Sequence, residues 1–412
     1  MGFFRSGKPR ASASPIVAPA PKAGAAPNRP HHGPADGVRP AGSGPNGSPP
    51  DSAAQGGSAH AAWADTALAR RFAHVDLTHP LLAELARWAR TRLLRDVEAA
   101  ARRDPRPGAR RPADGVPAGL SGGRSVAARP EAPSLAALLA RRPALTTPPE
   151  VVQRLSELVT SDDATPDDVA RVIQHDTYLT AAVLRIANSP LHAPLVPVET
   201  VQRAVMMLGM RQILSLVTAA SLMRLMTPRD VAARRTFWRH AACAATAARA
   251  LAVACGGADP GRAFVAGMLH DIGHLLLMGN LPDLAAQVAR RALDGAMPIQ
   301  VAERELLGYD HCDIGRRLLD AWRLGDAVAE AAEQHHGPDA RNWSDLSLYV
   351  HLGDFIAVAL GNHMPGDELL RQPAHGALDR VKLTPADFSS LVGHVLADTE
   401  AMEQALFGDA TA

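Results

Sequence analysis

A histidine and an aspartate stand side by side inside an apolar run, Phe264-Val-Ala-Gly-Met-Leu-His270-Asp271-Ile-Gly-His274-Leu-Leu-Leu277. Any fold that buries this run has to compensate an ionised carboxylate in a poor solvent for charge. A metal ion would do so, and so would hydrogen bonds that tie a helix end together. The run itself has the length and texture of a helix rather than a strand.

The surroundings agree. From about Ser134 to Leu360 apolar residues recur at three- and four-residue spacing, and no period-two alternation competes. Hydrophobic residues make up 47% of the chain and aromatic residues 4%, so Ala, Leu and Val must do the packing. That balance favours helices over sheets. Helix starts and stops are explicit. Pro148-Pro-Glu150 opens one helix, and Thr165-Pro166-Asp-Asp168 supplies an N-cap, a first-position proline and an acidic first turn. Asn188-Ser-Pro190 ends another. Further helices are expected from about Val198 to Leu208, through Phe237, Trp238 and His240, across His270, and over 281–293, 298–307, 312–322, 326–336 and 345–360.

Outside this region the composition shifts. Residues 1–60 are mostly Pro, Gly, Ala and Ser; such a tail cannot offset its conformational entropy by burial and is expected to be disordered. Residues 61–104 carry amphipathic helices, chiefly Pro80 to Arg103, with Leu81, Leu82, Leu85, Trp88, Leu93 and Val97 on one face and Arg87, Arg90, Arg95 and Arg102 on the other. Residues 105–133 return to a Pro/Gly/Arg linker. A helical domain is expected over 134–365, and a C-terminal helical tail over 366–412 with weaker helices such as Pro385 to Leu396.

Residues 1–142 hold 21 Lys and Arg against 10 Asp and Glu, whereas the remainder holds 22 against 32. A basic arm on an acidic body could seek an anionic partner. No aromatic-interleaved patch or DNA-reading motif accompanies these arginines, so nucleic acid is not the expected partner. Cys243, Cys255 and Cys312 form no CxxC pair, which suits a reducing compartment. No apolar run reaches the roughly 20 residues that span a bilayer, and the N-terminus lacks the apolar core of a signal peptide. The expected location is the cytoplasm.

Histidines and acids gather in the second half. His240 follows Phe237-Trp-Arg; His270-Asp271 comes next; His311 lies in Gly308-Tyr-Asp-His-Cys-Asp-Ile-Gly315; His335-His336 precede Gly337-Pro338; and His351 and Asp354 are three residues apart, on one helix face. Imidazole nitrogens and carboxylate oxygens on converging helices can hold Zn, Mn or Fe in an all-helical core. Each residue also has a plainer role open to it: a buried histidine satisfied by a backbone carbonyl, or one placed at a helix C-terminus.

The order His240, His270-Asp271, Asp354 resembles the H…HD…D pattern of the HD superfamily of metal-dependent phosphohydrolases. One branch is closer. Pro149-Glu-Val-Val-Gln-Arg-Leu155, His175-Asp-Thr-Tyr-Leu-Thr-Ala181, Leu184-Arg-Ile-Ala-Asn-Ser189 and Val201-Gln-Arg-Ala-Val-Met-Met-Leu-Gly209 are similar to the N-terminal half of the HDOD domain, the HD-related output domain of bacterial signalling proteins. Phe237-Trp-Arg-His240, Gly267-Met-Leu-His-Asp-Ile-Gly273 and Glu303-Arg-Glu-Leu-Leu-Gly-Tyr-Asp-His311 continue it through the HD half. The resemblance covers about residues 140–360.

It implies an all-α, multi-helix HD-like bundle, beside which stand the disordered N-terminal region and separate N-terminal amphipathic helices. It implies a divalent metal (Mn, Fe, Zn or Mg) on His240, His270, Asp271 and Asp354, with His311, His335 and His336 as further candidates. The implied function is a non-catalytic signal-transduction output module that engages a signalling protein partner. The alternative is a metal-dependent phosphohydrolase or phosphodiesterase acting on a nucleotide. After His335-His336 the chain reads Gly-Pro-Asp-Ala-Arg341, without the Asp-Gly-x-Gly-Tyr-Pro signature of the related HD-GYP phosphodiesterases, and the lysine common after HD-Ile-Gly is His274. Cyclic di-GMP hydrolysis is therefore not expected.

Overall fold

Small side chains decide how closely the helices of this molecule approach. In the computed structural model, which describes residues 52–103, 132–141, 149–188, 194–225 and 231–407, the secondary structure is helical, with no strand among the described residues. Two isolated bridges, His74 with Arg371 and Asp339 with His375, are the extended pairings there. The N-terminal helices are α1 (Ser52–Arg71), α2 (Pro80–Arg103) and α3 (Leu135–Arg141). A first group follows: α4 (Glu150–Thr160), α5 (Pro166–Gln174), α6 (Thr177–Ala187), α7 (Val201–Leu208) and α8 (Met210–Leu225). The second group comprises α9 (Val231–Cys255), α10 (Pro260–Leu269), α11 (Ile272–Asn280), α12 (Pro282–Gly295), α13 (Ile299–Leu307), α14 (His311–Ala321), α15 (Asp326–Gln334) and α16 (Asp345–Ala359). The chain closes with α17 (Ala377–Arg380) and α18 (Pro385–Phe407).

The start of α5 forms as its sequence predicts. Asp168 N–H donates to Thr165 Oγ1 at 3.3 Å and Thr165 N–H to Asp168 Oδ2 at 2.9 Å, with Pro166 in the first turn, a reciprocal cap. Helix α8 was not foreseen as a separate element; Gly209, with φ of 86°, breaks it from α7.

Helix α9 is the axis of the bundle. Its alanine-rich body packs most extensively against α16 and α10. Two glycines permit this approach. A Cβ at Gly267 of α10 would press on the Ala245 backbone at 2.7 Å, and one at Gly353 of α16 on the Ala244 carbonyl at 2.6 Å. Alanine facing glycine thus brings the histidine of α9 within reach of residues on both neighbours. Phe237, Trp238, Phe264 and Trp322 fill the wider gaps and are fully buried; removing one such aromatic side chain typically destabilises by ~3–5 kcal/mol.

The N-terminal pair is less separate than its sequence suggested. Leu81, Leu82 and Leu85 of α2 belong to the main core; with Leu352, Phe355 and Phe388 they line one small apolar cavity. Trp88 Nε1 donates to Ser389 Oγ at 2.9 Å. Residues 61–104 supply both an apolar face and this polar contact, so burial against α16 and α18 is favoured over solvent. Helix α1 begins at Ser52, inside the stretch 1–60 expected to be disordered. The rest of that stretch and most of the linker 105–133 lie outside the described residues. The tail is likewise stronger than expected: α18 runs to Phe407 and packs on α9, with Thr246 and Thr399 hydroxyls 3.1 Å apart. Among the described residues no helix is long and apolar enough to cross a membrane.

Candidate metal centre

Helix ends converge on one buried point. His240 projects from within α9; His270 closes α10; Asp271 occupies the cap position of α11; His311 opens α14; His335 closes α15, followed by His336; and Asp354 comes from α16. An aspartate at a helix cap ordinarily accepts from the first-turn N–H groups. Asp271 makes no such side-chain cap bond. Its carboxylate serves elsewhere.

The histidines share one arrangement. His240 Nδ1–H donates to the Asn362 carbonyl at 2.8 Å, His270 Nδ1–H to the Gly267 carbonyl at 2.8 Å, and His335 Nδ1–H to the Ala332 carbonyl at 2.7 Å. His311 Nδ1–H donates to Glu303 Oε2 at 2.6 Å, and Glu303 also accepts from the His311 backbone N–H at 3.0 Å. Because these oxygens accept, each ring's second nitrogen, Nε2, turns its lone pair inward.

Inward, these lone pairs meet carboxylates. His240 Nε2 lies 3.2 Å from His270 Nε2, 3.1 Å from Asp271 Oδ2 and 3.4 Å from Asp354 Oδ1. His270 Nε2 is 3.7 Å from Asp354 Oδ1. Asp271 Oδ1 faces the other way, 3.4 Å from both His311 Nε2 and His335 Nε2. Asp271 Oδ1 and His335 Nε2 are buried without a hydrogen-bond partner among the described residues. Acceptors facing acceptors in a dry interior need protons or a cation between them.

Electrostatics carries the same message. Burial opposes a charge on His240, yet Asp271 and Asp354 outweigh it and hold its pKa up at about 9. Burial likewise opposes ionised His311 and His335, but Cys312 raises both, with Glu303 acting on His311 and Asp271 on His335. Asp271 and Asp354 are driven the opposite way. Burial would raise them, and the surrounding imidazoles hold both well below the usual carboxylate range. Burial pushes His274 down to about 4, with the charge of His311 adding to it. Positive charge is thus drawn to the middle of the cluster.

The donor set suits a metal. Three overlapping groups place their ligand atoms within 4.8 Å of one another: His240, His270 and Asp271; Asp271, His274 and His311; and His311, Cys312, His335 and His336. Mixed imidazole nitrogen and carboxylate oxygen is a set taken by Zn, Mn and Fe. Seven residues expected from sequence are therefore brought together: His240, His270, Asp271 and Asp354 most tightly, His311 and His335 across Asp271, and His336 at the edge, 3.9 Å from Asp354 Oδ2. His351 is not among them. Its Nδ1–H donates to the His335 carbonyl at 2.6 Å and its Nε2 accepts from Ala374 N–H at 3.0 Å, so it holds the backbone around the site.

Glu303 and Cys312 were not foreseen. Glu303 is buried, fixes His311 and lies 3.4 Å from His274 Nδ1. Its signal was present: Ile299, Ala302, Glu303 and Leu307 recur at the spacing of a buried helix face, where an acid is out of place.

A cleft of about 400 Å³ opens beside the cluster, bordered by His336, His351 and Asp354 and, from the segment 360–376, by Asp367, Arg371 and Gln372. The N-terminal helices secure this segment. Arg71 Nη1 donates to the Ala359 carbonyl at 3.1 Å, Leu370 N–H to the Arg71 carbonyl at 3.0 Å, and Asp76 N–H to Gln372 Oε1 at 2.8 Å. Arg92 donates to Asn362 Oδ1 at 3.3 Å, and the same Asn362 holds His240.

Comparison with known proteins places this arrangement. Residues 145–338 match the family model of the HDOD domain. A solved HDOD domain protein of unknown function from Geobacter sulfurreducens is 23% identical with a TM-score of 0.53, over 63% of this chain and 92% of that one. A protein from Shewanella amazonensis SB2B, provisionally named a phosphohydrolase, is 25% identical with a TM-score of 0.53, over 67% and 98% of the two chains. A provisionally named signal transduction protein from Marinobacter aquaeolei VT8 is 24% identical with a TM-score of 0.53, over 66% and 64%. An uncharacterized protein of Treponema pallidum (strain Nichols) is 23% identical over 217 residues, which span 52% of this chain and only 42% of that relative.

Proposed function

We infer that this chain, whose residues 145–338 are an HDOD domain, is a signal-transduction module organised around a divalent metal. His240, His270, Asp271 and Asp354 would hold the ion. Asp271, with one oxygen toward His240 and the other toward His311 and His335, would join a second position completed by those two rings and His336. The observation that carries this assignment is the inward-facing set of Nε2 lone pairs and carboxylates, fixed by four Nδ1–H bonds to oxygen. Nitrogen-rich ligands favour Mn, Fe or Zn over Mg, which prefers oxygen. The module's output is exerted on a signalling protein partner.

Catalysis is the second reading, and the cleft favours it. A space of about 400 Å³ bordered by His336 and Asp354 could admit a phosphorylated small molecule, in keeping with the name given to the Shewanella protein. A bound divalent ion supplies Lewis acidity and lowers the pKa of water. Arg371 on the cleft wall would then meet phosphate. Asp367, whose pKa is raised first by burial and then by the charges of Asp354 and Asp271, would carry a proton there.

Elemental analysis of the full chain, purified without chelator, tests the metal: stoichiometric Mn, Fe or Zn is expected, and its loss in Asp271→Asn. Absence of transition metal from folded protein would overturn the assignment. A hydrolysis screen on the same metal-loaded samples, with bis(p-nitrophenyl) phosphate and nucleotides, separates the readings. No turnover supports the signalling module; turnover abolished by Asp271→Asn would replace it with the phosphohydrolase.

A further inference from the structure

A second cleft lies apart from the His/Asp cluster. It encloses about 390 Å³ between the end of α4 with its following turn, the starts of α8 and α10, and the turn joining α14 to α15. Three arginines reach it from three elements: Arg211, Arg262 and Arg323. Two acids also border it, Asp162 and Asp326, and Asp326 already pairs with Arg316 at 2.6 Å. Among the described residues no carboxylate is paired with Arg262 or Arg323. Arginines that line one hollow from separate elements favour an anion with several acceptor oxygens.

Arg323 adds an independent sign. It stands just past the end of α14 with φ of 54°, a conformation that glycine adopts freely and a side chain resists. Its N–H and that of Leu324 close the helix on the carbonyls of Asp320 and Leu319, at 3.0 and 3.2 Å, the position where helices most often place glycine. Helix termination alone therefore does not account for arginine here. The turn is also fixed: Ser156 Oγ donates to the Arg323 carbonyl at 3.2 Å.

The remaining walls complete a site for a small molecule. The first turn of α15 borders the cleft and has Gly325 at its cap, with no side-chain oxygen on its N–H groups; such an end favours an anion. Val159, Leu214 and Val265 give an apolar surface beside the arginines. A hollow of this volume matches a compact ligand rather than an extended acidic polymer.

We propose that this cleft binds a phosphate-bearing small molecule of nucleotide size, with phosphate on Arg262 and Arg323 and the less polar portion against the apolar wall. The site is independent of whether the His/Asp cluster holds metal. Two helices nonetheless run between the two places: α10 carries Arg262 near its start and His270 at its close, and α14 starts with His311 and leads into Arg323. Each is roughly 15 Å long by helix rise.

Calorimetry on the full chain with adenosine diphosphate, adenosine and pyrophosphate tests the proposal. Adenosine diphosphate is expected to bind, pyrophosphate more weakly, and adenosine not at all. Arg262→Gln and Arg323→Gly should each weaken adenosine diphosphate binding by about tenfold or more. Arg323→Gly is safe for the fold because glycine suits its backbone, so an unchanged or raised Tm with lost binding isolates the guanidinium. Stripping metal from the wild type with EDTA should leave the affinity unchanged. A Kd weaker than about 1 mM for adenosine diphosphate overturns the proposal, as does equal binding of adenosine. Binding that survives both substitutions but disappears on chelation also overturns it, because the ligand then sits at the His/Asp cluster.

Discussion

The two clefts of this bundle are nearly equal in volume and hold charge in opposite ways. The cleft beside the His/Asp cluster borders the buried His351 and Asp354 and the half-buried His336 and Asp367. The arginine cleft is lined by cations that remain in contact with water: Arg211 and Arg323 are exposed and Arg262 is half-buried. Burial makes the first set interdependent, since each ionised group needs a partner within a few ångströms. Solvation lets members of the second set, such as Arg262 and Arg323, hold their charge without a partner a few ångströms away. A buried site therefore betrays itself through unpaired atoms, whereas a solvated one does so through a side chain accepted at a backbone position that disfavours it.

Substitution at Asp271 should break the contrast most severely. Asp271→Asn removes the carboxylate shared by the rings around it, and breaking a buried charge pair typically destabilises by ~3–5 kcal/mol. Urea denaturation should show a fall of that size together with lost metal, while binding at the arginine cleft persists in the protein that folds. Full stability would mean that the buried set is not interdependent.

Gly273→Ala is expected to act next most strongly. An added Cβ would collide with the His311 carbonyl, and overpacking of this kind typically costs ~1–3 kcal/mol. The insult separates α11 from α14, so chelator competition should report weakened metal binding beyond the change in stability. Wild-type affinity for metal in this variant would show that the gap between these helices does not set the site.

Acid acts on the buried cluster too, but its effect can be read separately where α1 holds residues 360–376. His363 has its pKa pushed down to about 3, first by burial and then by the charge of Arg71. Its Nε2 is placed to accept from Arg71 Nη2 at 3.5 Å and its Nδ1–H to donate to the Met364 carbonyl at 3.2 Å. The unfolded ring binds its proton near 6.5. A group with a depressed folded pKa contributes stability above the unfolded value, and that contribution is lost as pH falls from 6.5 toward 3. Hydrogen exchange at the Leu370 amide, bonded to the Arg71 carbonyl, should quicken over this window, and His363→Gln should flatten the dependence. Equal acid sensitivity in His363→Gln would assign the effect elsewhere.

Much of this was legible in residues alone. Helix spacing and the Thr165–Asp168 cap follow from local rules, because periodicity and capping act within a few residues, whereas the succession His240, His270-Asp271, Asp354 stands out through its resemblance to the HD pattern. What escaped depends on distant partners. Glu303 falls on the buried face of its helix, but only the packing of α14 shows that it fixes His311. The arginines at 211, 262 and 323 are unremarkable singly, and only the packing of α4, α8, α10 and α15 turns them toward one hollow. The hold of α1 and α2 on residues 360–376 was hidden for the same reason, since Arg71 and Ala359 are 288 residues apart.

That hold separates the segment a family model recognises from the unit that assembles. The family model covers residues 145–338, yet Asp354 lies beyond it, and His240 depends on Asn362, which Arg92 grips from the other end of the chain. A gene fragment cut at residues 145 and 338 would omit one candidate ligand and both supports of another. Such a fragment would be a poor stand-in for the whole, and swapping this domain between proteins would require its flanking helices to travel with it.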